Sequence, residues 1–210
     1  LHLSLRRQRQ MCIRDRQHTL EVLRHATESV LSKPQQKSTS STSDSLNDRA
    51  REAALRLLSV RSRSSKELAD RLQSKGFPTD IVDDLIERFE RIDLLNDERF
   101  AHEWVSSRSR HSGRGKAVLR QELRHKGIAP SIIEAELENL SPCVEEDTAR
   151  ALVSRKVKLI DAASLIGWEF FQKQQRRLYS MLVRRGFSSE LAQRIVNEAL
   201  VAHREGYDSN

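Results

Sequence analysis

The sequence has 210 residues, of which 37% are hydrophobic and 32% are charged, and this lean apolar content argues against a single large globular core. The formal net charge of +7 favours an anionic partner, and the absence of a long apolar run argues against a membrane span or a secretory signal. Glycine and proline are scarce and no segment shows sustained strand alternation, so an all-α fold is predicted.

Residues 1–46 lack the helical pattern that the rest of the chain repeats. They contain an arginine-rich run, RRQRQMCIRDR, and a stretch rich in Ser, Thr and Gln that has the composition of a linker. An organelle transit peptide, a non-native extension and a genuine basic arm are all open interpretations. We predict a disordered or non-native extension and linker, because nothing in these residues can bury a core.

The first predicted repeat spans residues 47–97. It begins with an apolar helix that Asn47 or Asp48 would cap. A second, basic helix lies in the string KELADRLQSKGF, and an acidic third helix follows it. The repeat is therefore predicted to contain three helices.

The second predicted repeat spans residues 98–142. Its first helix follows the turn DLLNDE, where Asn96 or Asp97 would be the N-cap, and it contains Phe100 and Trp104. Because these two aromatics lie four residues apart, Trp104 is expected in the core rather than at a ligand. The string AVLRQELRHKGIAPSIIEAELENL then supplies a cationic helix and an acidic one.

The third predicted repeat spans residues 143–204, and residues 205–210 are predicted to be a tail. Its first helix is expected to begin near Glu145. An insertion near residues 159–172 carries Trp168, Phe170 and Phe171, which we expect to pack on this last repeat; a partner-binding corner is the alternative.

The second helix of every repeat ends in the same way. Two leucines one helical turn apart precede a glycine, and Phe or Ile follows it, which is the pattern of a Schellman motif with glycine at C′. The residues are Leu68, Leu72, Gly76 and Phe77; Leu119, Leu123, Gly127 and Ile128; and Leu178, Leu182, Gly186 and Phe187. The glycines are 51 and 59 residues apart (127 − 76 and 186 − 127). We predict three tandem three-helix repeats in an elongated array, in which each repeat covers its neighbour.

No catalytic, cofactor or metal site is predicted. The string SGRGK, residues 112–116, lacks the spacing of a phosphate-binding loop, and Ala117 stands where that loop needs Ser or Thr. The histidines and cysteines show no metal-ligand spacing, and no nucleophile elbow is present. Cys12 and Cys143 are isolated, which favours a reducing cytoplasm.

Basic residues concentrate before each glycine stop, and acidic residues follow it. The candidate contacts to an anionic partner are Arg61, Arg63, Lys66, Arg108, Arg110, Arg114, Lys116, Arg120, Arg124, Lys173, Arg176 and Arg177. If the repeats stack in register, these residues would form one basic stripe along a polyanion. The alternative is pairing between the basic and acidic helices of the same chain. We favour the stripe, because residues 108–116 are predicted to form an exposed loop with little structural need for charge. Backbone contact is expected rather than base stacking, because the few aromatics are at core-like positions.

Four strings from residues 48–202 carry a resemblance to a known family. They are LLSVRSRSSKELADRLQSKGF, IDLLNDERFAHEWVSSR, GRGKAVLRQELRHKGI and LVRRGFSSELAQRIV. In this order they resemble the successive repeats of the RecX family, regulatory proteins that modulate the RecA recombinase. The extension at residues 1–46 and the aromatic insertion have no match in that pattern.

The resemblance implies a curved, elongated monomer without enzymatic activity or cofactor. It would lie in the groove of a RecA–DNA filament in the cytoplasm and restrain strand exchange, ATP hydrolysis and co-protease activity, in DNA repair, recombination and the SOS response. DNA would be contacted through the filament, and no membrane would be involved. A helical DNA-binding or architectural module that acts without RecA is the alternative.

Overall fold

The computed structural model describes residues 43–208, and the predictions for residues 1–42 and 209–210 lie outside this range. Every regular element in the described range is helical, so the all-α prediction is confirmed there. The α-helices are α1 (Ser43–Val60), α2 (Ser65–Gln73), α3 (Thr79–Arg91), α4 (Asp97–Ser112), α5 (Lys116–His125), α6 (Pro130–Asn139), α7 (Pro142–Val157), α8 (Trp168–Arg184) and α9 (Ser189–Asp208). A 3₁₀ helix, η1 (Ala163–Ile166), lies between α7 and α8.

The chain divides into two compact units after Asn96. In the first unit, α1 packs on α2 and α3 around one apolar core. The core residues recur at helical spacing, which explains why these segments form helices: Ala50, Ala54 and Leu58 on α1; Leu68 and Leu72 on α2; and Val82, Leu85 and Phe89 on α3. The side chain of Ser64 caps α2 by accepting a hydrogen bond from the Glu67 amide at 3.1 Å.

The second unit contains two separate cores. Helices α4, α5 and α6 enclose one of them, and α7, α8, α9 and η1 enclose the other. The first holds Phe100, Ala101, Val105, Leu119, Leu123, Ile128, Ile133 and Leu137. The second holds Ala149, Val153, Val157, Leu165, Leu178, Leu182, Phe187, Ala192, Ile195, Val196 and Leu200. With the first unit, this makes three groups of three helices, each around its own core.

The three glycine stops have the hydrogen bonds of a Schellman motif. The amides of Phe77, Ile128 and Phe187 donate to the carbonyls of Leu72, Leu123 and Leu182 at 3.3, 3.2 and 3.2 Å. The φ angles of the glycines at C′ are positive: 88° at Gly76, 78° at Gly127 and 91° at Gly186. The left-handed conformation that these angles describe is the reason for glycine at each position.

The segment before α5 joins the two cores of the second unit through main-chain atoms. The amides of Gly115 and Ala117 donate to the carbonyls of Arg185 and Gly186 at 2.8 and 3.1 Å, and Nη1 of Arg185 donates to the Ser112 carbonyl at 2.8 Å. Gly115 and Gly186 are both buried. A Cβ atom on Gly115 would lie 2.4 Å from the carbonyl carbon and oxygen of Gly186, so only glycine fits there. We call residues 113–117 together with Arg185 and Gly186 the glycine joint.

Several predicted boundaries differ from the structure. Helix α1 already includes Ser43, so Asn47 and Asp48 lie inside it and do not cap it. Helix α7 begins at Pro142 rather than near Glu145, with proline in the first turn, where its missing N–H is tolerated. Residues 205–208, predicted as tail, continue α9.

The predicted loop at residues 108–116 is mostly helix. Arg108 and Arg110 lie on α4, and Lys116 is the first residue of α5. The prediction was wrong because a run of Ser and Arg does not itself stop a helix. Helix α4 continues to Ser112 and ends only at Gly113, whose φ angle is 58°.

Three aromatic side chains are more exposed than the sequence indicated. Phe77 and Trp104 are only partly buried at the edges of their cores. Trp168 is 71% exposed at the start of α8, so its predicted packing on the last repeat is wrong, whereas Phe170 and Phe171 do pack against that core. The predicted insertion therefore contains η1 and the first residues of α8, which begins at Trp168.

An ion-pair network that links α7 and α9 should make the stability of the second unit depend on pH. Arg194 donates to both carboxylate oxygens of Glu146 at 3.0 and 2.8 Å, and Arg150 donates at 2.5 Å; the hydrogen bonds from Arg194 are the main reason that the pKa of Glu146 falls from 4.5 to about 2. A lowered carboxyl pKa contributes stability that is complete above pH 4.5 and is lost as the pH falls towards 2. We therefore expect the stability difference between the native chain and Glu146→Gln to be constant near neutral pH and to shrink between pH 4.5 and 2. Urea unfolding across this range tests it, and a difference independent of pH would contradict it.

Candidate functional site

A cleft between α4 and α5 is built around the indole of Trp104. The indole stacks on the core residue Phe100, with ring centroids 5.7 Å apart. The Arg108 guanidinium lies 4.5 Å from the centroid of the indole, and the Lys126 ammonium lies 5.0 Å from it. Two cations at these distances are attracted by the indole face. Trp104 therefore has one side in the core and another in a cationic surface.

Glu122 is the acidic group at the centre of this surface. Its Oε2 accepts a hydrogen bond from Trp104 Nε1 at 2.8 Å and lies 3.5 Å from Arg108 Nε, and its Oε1 lies 3.7 Å from Arg114 Nε. The Arg114 Nε atom is buried and makes no hydrogen bond within the described part of the chain. The structure thus brings Arg108 and Arg114, two predicted contact residues, to one carboxylate.

The cleft has a volume of about 410 Å³ and is open to solvent. Its lining residues are Trp104, Arg108, Gln121, Glu122, His125 and Lys126. The charged lining residues are Arg108, Lys126 and Glu122, so the lining has a formal net charge of +1 with its histidine neutral (+2 − 1). We call these six residues the Trp104 cleft.

Other predicted contact residues are paired within their own unit. Arg63 is largely buried: it donates to Glu67 at 3.1 Å and to the Leu57 carbonyl in the last turn of α1 at 3.2 Å, and burial lowers its pKa. Arg61 also pairs with Glu67. Arg63 therefore joins α1 to α2, which corrects its assignment as an exposed contact.

Arg120 forms a bidentate pair with Glu134. Its Nε and Nη2 atoms each donate to one carboxylate oxygen at 2.7 Å, and these bonds raise the pKa of Arg120 and lower that of Glu134. This pair links the basic helix α5 to the acidic helix α6. Such pairing within the chain is what the alternative interpretation predicted in place of a basic stripe.

The remaining predicted contacts are exposed, apart from Lys116, which is half-buried. Lys66, Arg110, Lys116, Lys173 and Arg177 have no acidic side chain at ion-pair distance among residues 43–208. Arg176 donates to Gln172, and Arg124 is exposed near Glu134. The basic residues thus divide into a paired group and an exposed group, and a stripe along all three repeats stays a prediction.

Two classes of feature were not found in the described range. Residues 43–208 contain no group of His, Cys, Asp and Glu side chains arranged to hold a metal ion. None of their helices is both long and apolar enough to cross a bilayer.

Comparison with known proteins identifies the family. Residues 50–89 match the model of the first three-helix domain of RecX, and residues 96–137 match that of the second. The chain is 38% identical to the regulatory protein RecX of Streptomyces lividans over 164 residues, which is 77% of this chain and 82% of that relative. The chain belongs to the RecX family. A second member, from Mycobacterium avium, is 36% identical over 166 residues, or 79% of this chain and 93% of that relative.

Solved RecX structures share the fold. The crystal structure of RecX from Lactobacillus salivarius superposes with a TM-score of 0.63 and 23% identity, over 74% of this chain and 97% of that one. A second RecX crystal structure gives a TM-score of 0.59 and 24% identity, over 72% of each chain. Two predictions are therefore confirmed: the resemblance to RecX, and the all-α fold of three-helix repeats.

Glu122, at the centre of the Trp104 cleft, and Gly115, in the glycine joint, were not among the predicted site residues. Glu122 was assigned no role, since a glutamate on a basic helix has no distinctive sequence pattern. Gly115 lies in the string SGRGK, which lacks the spacing of a phosphate-binding loop, so it was given no role. The available signal was a Gly-x-Gly sequence directly before a helix, which is typical of a close approach between two backbones.

Proposed function

We propose that this chain binds the filament that the RecA recombinase forms on DNA, and that it restrains the recombinase, ATPase and co-protease activities of RecA. Membership of the RecX family, whose members named above are regulatory proteins, is the observation that carries the proposal. We propose further that the chain acts as a cytoplasmic monomer, without catalysis of its own, in DNA repair and the SOS response.

The basic residues of the second unit whose charged groups have no described acidic partner are the proposed contact surface. Arg110, Lys116, Lys173 and Arg177 are not paired with a described acid, so they need not break an internal ion pair to bind an anionic partner. Lys66 is the corresponding candidate in the first unit. Arg61, Arg63 and Arg120, which are paired, support the fold in this proposal.

A DNA-binding module that acts without RecA is the second candidate, and the same exposed cations and the net charge of +7 favour it. Binding to bare single-stranded DNA, to RecA alone and to the assembled filament separates the two. We expect clear preference for the filament together with inhibition of RecA ATP hydrolysis. Equal binding to bare DNA and to the filament, without inhibition, would select the second candidate.

Removing exposed charge should weaken filament binding without unfolding the protein. We expect the triple variant Arg110→Gln, Lys173→Gln and Arg177→Gln to bind more weakly, and the slope of log K against log salt to fall by about 1 for each lost phosphate contact. Thermal stability should change little, by about 0.5 kcal/mol or less for each residue, since exposed charges contribute little to folding.

A triple variant with the same change in charge serves as the control. Arg51, Arg56 and Arg91 pair with acids three or four residues away on their own helices. Their replacement by glutamine should leave filament affinity nearly unchanged. Equal losses of affinity in the two triple variants would show that net charge, and not the proposed surface, governs binding.

A further inference from the structure

We infer that the Trp104 cleft binds one nucleotide of an unpaired nucleic-acid strand, and that Glu122 occupies the phosphate position when no strand is bound. This inference goes beyond the proposed function, because it concerns direct contact with a strand and does not require RecA. It also revises the expectation that the aromatic residues of this chain take no part in stacking.

The first step is the position of the indole. Trp104 is half-buried at the edge of its core, and its ring contributes to the wall of an open cleft. Unpaired bases stack on aromatic side chains and on the planar guanidinium of arginine, and this contact tolerates any base. The Arg108 guanidinium lies over the indole, 4.5 Å from its centroid, and Phe100 stacks on the ring from the core, so an incoming base would stack on the outer face of that guanidinium.

The second step is the charge around the indole. Arg108 and Arg114 approach from the end of α4 and from the glycine joint, and Lys126 follows the last turn of α5. Arginine binds phosphate with paired hydrogen bonds, and charge-assisted bonds of this kind are among the strongest in proteins. The buried Nε of Arg114, which makes no hydrogen bond to the described residues, is a donor that an incoming oxygen could use.

The third step is the role of Glu122. Its carboxylate sits 3.5 and 3.7 Å from the two arginine Nε atoms, distances too long for good hydrogen bonds but close enough for attraction. A phosphate oxygen would use the same donors and would be repelled by the carboxylate. Glu122 therefore acts as an internal competitor that keeps the cationic groups together and lowers affinity for the strand.

An acidic peptide is the competing ligand. It would satisfy the cations but would leave the outer face of the Arg108 guanidinium without a stacking partner. The volume of about 410 Å³ falls within the range of small-ligand clefts, about 300–1,000 Å³, and has room for a base with its phosphate. The combination of aromatic and cationic walls therefore favours the nucleotide.

Tryptophan fluorescence can follow this cleft alone. The chain has two tryptophans, so Trp168→Phe leaves Trp104 as the only one. In this background we expect an oligothymidylate to quench Trp104 emission, and an abasic oligonucleotide of the same length, or an acidic peptide of equal charge, to bind more weakly and without comparable quenching. Equal binding of all three ligands without quenching by the oligothymidylate would overturn the inference.

Glu122→Gln tests the competitor role, because the glutamine oxygen can still accept the bond from Trp104 Nε1 while the charge is removed. We expect this variant to bind the oligothymidylate about 2- to 5-fold more tightly, as expected for the loss of one solvent-accessible charge interaction. Glu87→Gln, which releases Arg91 on α3 by the same chemical change, should have little effect. Unchanged or weaker binding in Glu122→Gln would show that the carboxylate only supports the fold.

Arg108→Gln should reduce both affinity and quenching. Circular dichroism on each variant checks that the helices are intact, and the quenching experiment in the Trp168→Phe background stands even if Arg108→Gln does not fold. All of these measurements omit RecA, so their failure would leave the proposed filament binding untouched.

Discussion

Gly115→Ala is expected to destabilise residues 97–208 by at least about 2 kcal/mol, because overpacking a close backbone contact costs about 1–3 kcal/mol and each buried amide that loses its partner costs a similar amount. The φ angle of Gly115 is −85°, which alanine adopts without strain, so space alone is decisive. The new Cβ would lie 2.4 Å from the carbonyl group of Gly186 and 2.5 Å from the Phe187 amide nitrogen. These are main-chain atoms, so they cannot rotate away as a side chain would.

Urea unfolding followed by tryptophan fluorescence measures this effect directly, since Trp104 and Trp168 both lie in the second unit. Gly206→Ala is the matched control. Gly206 lies in α9, nothing beyond its chain neighbours and the adjacent backbone of its own helix lies within 4 Å of the added Cβ, and alanine is the better helix former by about 1 kcal/mol. The control should be as stable as the native chain or more so. Similar midpoints for the two variants would rule out the glycine joint as a stabilising contact.

Leu72→Ala and Leu123→Ala are each expected to cost about 2–5 kcal/mol, the usual range for truncating a fully buried leucine. Both side chains are fully buried, Leu72 in the core of the first unit and Leu123 in a core of the second. Because these cores are separate, the damage should be local. Hydrogen exchange should show lost protection within residues 43–96 for Leu72→Ala and within residues 97–208 for Leu123→Ala.

Leu159→Ala provides the control for this pair. Leu159 is 80% exposed, so the same chemical change should alter stability by no more than about 0.5 kcal/mol. If Leu72→Ala and Leu123→Ala each removed protection evenly from both units, the three cores would be one cooperative system, and independent repeats would be the wrong description.

The three helix ends at Gly76, Gly127 and Gly186 were predictable because their physics is local. A leucine at C3, a glycine at C′ and an apolar residue at C″ specify a Schellman motif within six residues, and the bonds from Phe77, Ile128 and Phe187 to the three leucines follow that pattern. The helical spacing of the leucines likewise defined the core faces. The three-repeat prediction followed from these two features.

The surface was less predictable because it depends on contacts between distant residues. Arg120 and Glu134 are 14 residues apart, and Arg185 reaches Ser112 across 73 residues. Composition alone could not distinguish these paired arginines from the exposed Arg110. Trp104 was predicted in the core from its four-residue spacing to Phe100, and Trp168 was predicted to pack on the last repeat. Trp104 instead forms the wall of a cleft and Trp168 is solvent-exposed, since local spacing does not specify how far a core extends.

The glycine joint has a consequence for recombining members of this family. The two repeats of the second unit are connected there mainly by amides and carbonyls that every sequence possesses. Two side chains of the third repeat take part: Arg185, and Glu145, whose Oε1 accepts a hydrogen bond from the Lys116 amide at 3.3 Å. A foreign third repeat would therefore need little matched side-chain chemistry at this seam. A chimeric protein must keep Gly115 and the length of the short link between α4 and α5 in its second repeat, and Gly186 in its third, so it should be joined outside residues 113–117.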